Sequence, residues 1–286
     1  MAATLPPETT LGPAHLIVAD LDRAVGFYTD VLGFALGERA GDTATLTTGG
    51  ALPWLRLTAP ADVRPRPVPS TGLYHVAILV PSRAALARSL RRLVERDYPL
   101  QGASDHLVSE ALYLADPDGN GLGIYRDRPR DGWLDANGQL MMGTERLDVR
   151  ALLNEGLADD RPWTGLDPAT RVGHVHLQVA DLQAAVDFYA GALGFEVMLA
   201  SSRMGAAFVS AGGYHHHIGL NTWASRGAPP PPPAAVGLRI FDVVLPDAQA
   251  IAAVTARLRA AGVAYEASDG AIVVRDPSGT AVRLRV

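Results

Sequence analysis

Short apolar stretches recur along the chain, and each is followed by a segment of helical periodicity. AHLIV at 14–18 and HVHLQV at 174–179 read as strands. After each comes an aspartate, Asp20 or Asp181, at the place of a helix N-cap. Val25, Tyr28 and Leu32, and likewise Val186, Tyr189 and Leu193, then fall at helical spacing, and Gly33 and Gly194 close the two helices. Segments 18–36 (VADLDRAVGFYTDVLGFAL) and 179–197 (VADLQAAVDFYAGALGFEV) agree at eleven of nineteen positions with a constant offset of 161. A second, weaker pair repeats the plan. HVAILVP (75–81) precedes a helix at about 83–97 and strands at about 107–114 and 121–125, joined by DPDGNG. IFDVVLP (240–246) precedes a helix at about 247–261 and two strands around DPSG (276–279).

The pattern predicts an α+β fold of four βαβββ modules at 10–60, 72–127, 172–223 and 237–286. A linker at 128–171 contains a short helix near 145–157, and PPPPP (229–233) forms an extended spacer before the last module. In the first strand of module two, His75, Ala77 and Leu79 share one face, and Val76 and Ile78 the other. In module three, His174, His176 and Gln178 share one face, and Val175, Leu177 and Val179 the other. The apolar faces suit packing under helices, and the histidines lie on the opposite faces.

Composition narrows the chemistry. The 286 residues contain no cysteine, and all 25 basic residues are arginine, so thiolate nucleophiles, cysteine-bound metals, Schiff-base lysines and phosphate-loop lysines are excluded. Metal chemistry through the eight histidines and the carboxylates remains. A net charge of −5 without a basic block argues against nucleic acid. No apolar run reaches the roughly 20 residues of a membrane span, and MAATLPPETT at the start is no signal peptide, so a cytoplasmic protein is expected. A homo-oligomer is left open.

Tandem βαβββ modules with DL…A..FY…LGF after the first strand and DP.G at the last hairpin resemble the vicinal oxygen chelate superfamily, which includes glyoxalases, extradiol dioxygenases and bleomycin-resistance proteins. TGLYHVAILVP (71–81), SDHLVSEALYLADPDGNGLGIYRDRPRDGW (104–133) and VSAGGYHHHIGLNTWA (209–224) are similar to the four-module catechol-2,3-dioxygenase type. The resemblance implies paired modules whose curved mixed sheets enclose a cleft. A ring-cleaving member binds Fe(II) or Mn(II) there through two histidines and a carboxylate, and takes up a small aromatic diol and O2.

The family's first-strand ligand position falls on His75 in module two and His174 in module three, but on Pro13 and Ile240 in modules one and four. His15 aligns with His176, not with the ligand. Pairing modules two and three gathers both histidines in one cleft and leaves modules one and four paired without metal, an arrangement preferred over the pairing of neighbours. The family's glutamate position is Gly123, and its equivalents are Gly219 and Arg283. Three readings follow. A nearby histidine, His217 or His215, supplies the third ligand on iron, copper or zinc, with His216 pointing the other way. Alternatively, the vacant face admits a halide or azide for transfer to substrate. Otherwise the site is inactive or altered. His106, His176, Gln178, Tyr125, Asn221 and Trp223, and also Tyr214, are candidate catalytic or substrate-contacting residues. Arg126-Asp127-Arg128 reads as an ion-pair run, and GNGLG (119–123) as part of a hairpin rather than a dinucleotide loop. The expected activity is a metal-dependent oxygenase resembling an extradiol catechol dioxygenase. The rival from another class is a non-catalytic module that sequesters a small molecule.

Overall fold

The structure is a computed structural model, described for residues 4–50 and 53–286. Module one runs β1 (Thr10–Ile17), α1 (Leu21–Gly26) with a π-helical continuation at Phe27–Val31, β2 (Ala35–Ala40), β3 (Thr43–Thr47) and β4 (Leu55–Thr58). Module two runs β5 (Gly72–Leu79), α2 (Arg83–Glu95), β6 (Gly102–Asp105), β7 (Ser109–Ala115) and β8 (Gly121–Asp127). The linker carries a 3-10 turn at Arg130–Gly132, β9 (Glu145–Arg146) and α3 (Val149–Ala158). Module three runs β10 (Arg171–Gln178), α4 (Leu182–Val186) with a π-helical continuation at Asp187–Leu193, β11 (Glu196–Ser201), β12 (Ala206–Ser210) and β13 (Ile218–Asn221). Module four runs β14 (Gly237–Val244), α5 (Ala248–Ala260), β15 (Tyr265–Ser268), β16 (Ala271–Arg275) and β17 (Ala281–Arg285).

The local chemistry explains these elements. Asp20, Ser82, Asp148, Asp181 and Asp247 each cap a helix by accepting the N–H three residues on. The FY segments expected to be ordinary helix finish as π-turns, with the Leu32 N–H donating to the Phe27 carbonyl at 3.2 Å. Tertiary packing sets this winding: Tyr28 and Tyr189 lie fully buried, and each hydroxyl reaches a carboxylate of a hairpin turn. Gly33 and Gly194 sit at φ 87° and 95°, which a side chain would resist, and so they end the helices.

The chain divides into two compact units that do not coincide with single modules. The first comprises the segment up to Ile17, Arg64–Tyr74 and Gly173–Val286. In it the strands run β15-β16-β17-β14-β1 and, separately, β11-β12-β13-β10. β1 thus pairs antiparallel with β14, the first strand of module one against the first strand of module four. The core of this unit includes Phe241, Val254, Leu258 and Tyr189. The proline run lies against module four: the Pro229 carbonyl accepts from the Thr71 N–H, and Pro230 packs at Gly279.

The second unit comprises Val18–Val63 and His75–Val172. Its strands run β4-β3-β2 and β5-β8-β7-β6-β9. In modules two, three and four the first strand is parallel to the last, and the remaining strands are antiparallel, so the sheets are mixed. Leu86, Leu90 and Ile78 lie buried in this unit, as the apolar face of β5 and the periodicity of α2 require. Among the described residues no helix is long and apolar enough to cross a membrane.

Candidate functional site

In the second unit the candidate residues gather on one face of β5, β7 and β8. His75 is buried on β5, and burial, with the charge of His106 adding to it, lowers its pKa to about 3. The ring is therefore neutral at ordinary pH. Beside it on β8 lies Gly123, paired with Ala77 of β5 and with Tyr113 of β7. A β-carbon built at Gly123 would stand 3.7 Å from His75 Cδ2 and 3.6 Å from Tyr113 Cε1, ordinary contact distances. A side chain would thus fit there and would start against the His75 ring.

Tyr113 joins His75 to His106. Its ring centroid is 5.5 Å from that of His75, and its hydroxyl lies 2.6 Å from His106 Nε2. His106 Nδ1 is 2.7 Å from the Gly143 carbonyl, which only accepts, so Nδ1 carries a proton, and Nε2 is the atom that meets the Tyr113 hydroxyl. Tyr125 is buried with Ala77, Leu79 and Ala111 as the apolar floor beneath Tyr113.

In the first unit His174 is buried on β10, two residues before His176. His176 pairs with Gly219 of β13, and a β-carbon at Gly219 would stand 2.8 Å from His176 Cγ. Gly219 is glycine because His176 fills the space above it. The equivalent neighbour of Gly123 is alanine, so a β-carbon there would meet only ordinary contacts. Three further rings close on His176: Tyr74 at 5.0 Å, Trp223 at 5.6 Å and Phe208 at 5.7 Å between centroids. Tyr74 and Trp223 are exposed. Gln178 accepts from Arg66 Nη2 at 2.5 Å, and Asn221, buried at the end of β13, accepts the Trp223 N–H at 3.2 Å.

The three consecutive histidines arrange themselves otherwise than alternation predicts. His216, expected to point away, packs its ring 4.1 Å from that of His174. His215 lies at 6.4 Å from His174 and bonds His216 through the two Nδ1 atoms at 2.8 Å. His217 turns to Ser210, with its Nδ1 at 2.9 Å from the hydroxyl. The reason is that β13 begins only at Ile218, so a two-residue alternation does not extend back through 213–217. Tyr214 stacks on His215 at 4.1 Å. Among the described residues no group of three or more His, Asp or Glu side chains is disposed to hold a metal ion.

Sequence reasoning overlooked Tyr113, Tyr74 and Arg66. The alternation of β7 marks Tyr113, since Ala111 and Tyr113 lie directly across from Tyr125 and Gly123 on the same face. Arg126 and Arg128 pair with the buried Glu110, as the ion-pair reading expects, and Asp118-Gly119-Asn120 turns within the β7–β8 hairpin.

Comparison with known proteins agrees with this architecture. The profile of the Glyoxalase/Bleomycin resistance protein/Dioxygenase superfamily matches residues 10–124 and 171–284. A Bacillus subtilis (strain 168) protein named catechol-2,3-dioxygenase is 44% identical over 272 residues, covering 94% of each chain. Among solved structures, a putative dioxygenase from Bacillus subtilis aligns with TM-score 0.67 at 15% identity, covering 99% of this chain and 86% of its own. Glyoxalase I from Zea mays aligns with TM-score 0.59 at 16% identity, covering 97% and 92%; at such identities the likeness concerns the fold alone. With two profile matches spanning all four modules, the chain belongs to the Glyoxalase/Bleomycin resistance protein/Dioxygenase superfamily.

Proposed function

We propose that the protein is a metal-dependent oxygenase that acts on a small aromatic diol with O2, in the manner suggested by its catechol-2,3-dioxygenase relative. The observation that carries this reading is the line from His75 through Tyr113 to His106 on one sheet face: a neutral buried imidazole beside a hydrogen-bonded proton pair. His75 and His174, at equivalent repeat positions, are the proposed ligands of one divalent metal, Fe(II) first, with Mn(II), Cu or Zn as substitutes. The pairing of β1 with β14 supports the partnership of modules one and four.

The fit of a metal to these residues is partial. Two imidazoles are suitable nitrogen donors, whereas the carboxylate of the family pattern is absent at Gly123. Bound iron would serve as a template for the diol oxygens and a path for electrons to O2. The chain's own contributions are of another kind. Tyr113 and His106 hold a proton that can pass between phenol and imidazole, as deprotonation of a diol and protonation of a product require. Ala77, Leu79, Ala111 and Tyr125 make a dry floor that suits an aromatic ring.

The test is anaerobic reconstitution with Fe(II), followed by O2 uptake and product absorbance with catechol. Iron-dependent O2 consumption with a ring-cleaved product is expected. Iron binding without O2 uptake on any diol would contradict the oxygenase reading and favour a sequestering protein.

A further inference from the structure

We infer that the first unit holds a binding site for an aromatic carboxylate, with Gln178, Asn221 and Arg66 at its anionic end and Tyr74 and Trp223 at its ring end. Every residue named belongs to that unit and none is a proposed metal ligand, so the inference stands apart from the metal reading. Its first support is a pair of amides. Gln178 of β10 and Asn221 of β13 are direct partners across parallel strands. They share the face on which His176 covers Gly219, two residues earlier on each strand. The oxygen of each amide is committed to a group that only donates. Gln178 Oε1 accepts from Arg66 Nη2 at 2.5 Å, and Asn221 Oδ1 accepts the Trp223 backbone N–H at 3.2 Å. These bonds fix the orientation of both amides and leave their nitrogens uncommitted. Asn221 Nδ2 is buried without a hydrogen-bond partner, which is costly in a folded chain. Two amide NH2 groups side by side match the two oxygens of a carboxylate, which only accepts.

The second support is charge. Arg66 donates to Ser70 Oγ, to the carbonyls of Ser70, Thr71 and Leu73, and to Gln178 Oε1. All five acceptors are neutral, and among the described residues no carboxylate pairs with Arg66. Burial lowers its pKa, with no neighbouring charge to offset the effect. The chain thus holds a cation in place beside the Gln178 amide and leaves its charge for an anion to balance. The third support is the pair of exposed rings. Tyr74 and Trp223 lie 5.0 and 5.6 Å from His176 between centroids and 5.3 Å from each other, with their planes at 82°. They form a corner, which suits a planar ring lying on one face and meeting the edge of the other. Trp223 follows Asn221 by two residues, so ring and amide stand at the same end of β13. An aliphatic acid would leave the corner uncovered, and the charge of Arg66 opposes an aromatic cation.

The experiment is titration of the full chain with benzoate, followed by calorimetry and by tryptophan fluorescence, with and without EDTA. Of the four tryptophans, Trp223 alone belongs to the first unit, so its emission reports on this site. Benzoate should bind about tenfold or more tightly than acetate, benzyl alcohol or benzylamine, and equally well in EDTA. Gln178→Glu keeps an acceptor for Arg66 but replaces the amide donor by a negative charge. It should fold, as circular dichroism would verify, and weaken benzoate by about tenfold or more. Trp223→Leu, at an exposed position, tests the ring end separately. By calorimetry it should weaken benzoate and leave acetate unchanged. Benzoate affinity unaltered in Gln178→Glu or in Trp223→Leu would overturn the inference, as would benzyl alcohol or acetate binding as tightly as benzoate. Benzoate binding that disappears in EDTA would assign the carboxylate to a metal and overturn it as well.

Discussion

The hydroxyl of Tyr113 meets Nε2 of His106 at 2.6 Å, and the same tyrosine ring lies 5.5 Å from that of His75. A phenol so placed shares its proton with an imidazole whose other nitrogen is fixed by the Gly143 carbonyl. Tyr113→Phe should therefore lower kcat on catechol by about 10²–10⁴-fold and remove one limb of the pH–rate profile. Metal uptake should be unchanged, because Tyr113 is not a proposed ligand. An unaltered pH profile would show that the pair plays no part in proton transfer.

His216 and His217 differ in their surroundings, and so should their variants. His216 packs on His174, and His216→Ala should weaken metal binding by about 10–100-fold through the loss of the ring that orients it. His217 bonds Ser210, away from His174. His217→Ala should leave metal affinity unchanged and lower unfolding free energy by about 1 kcal/mol. Equilibrium metal titration and urea unfolding distinguish the two, and the reverse result would restore His217 as the nearer candidate ligand.

Tyr189 donates to Asp276 at 3.0 Å, as Tyr28 does to Asp116 at 3.1 Å, tying each FY helix to the hairpin turn of the following module. Burial raises the pKa of Asp276, while the bond from Tyr189 pulls it down. The ionised carboxylate is the better acceptor. Tyr189→Phe should cost about 1–3 kcal/mol of stability near neutral pH, and less once the pH falls through the raised pKa and Asp276 is protonated. Urea unfolding at neutral and acid pH measures the difference; an equal loss at both would mean that the contact is merely one of packing.

These relationships were legible in the sequence to unequal degrees, for physical reasons. The modules could be read because each repeats a local grammar: an apolar strand, a capping aspartate, a buried FY pair and a closing glycine such as Gly33 or Gly194. His75 and His174 were singled out by the first-strand ligand position that the family resemblance implies, and their role stands as a proposal. Tyr113 did not, because its importance comes from lying opposite Gly123 across two strands, a register that only pairing establishes. The placement of His216 escaped because alternation carried back from Gly219 over 215–217 runs into irregular chain before the strand begins at Ile218. The difference between the two glycines also needed the structure: His176 bars a β-carbon at Gly219, whereas one at Gly123 would meet only ordinary contacts.

The central claim is that His75 and His174 serve a single metal. Anaerobic equilibrium titration with Fe(II) tests it most directly, carried out on the natural chain, His75→Ala and His174→Ala. One Fe(II) per chain is expected, lost in both variants with the fold retained by circular dichroism. Full uptake in either variant, or two independent sites that are lost one at a time, would contradict it.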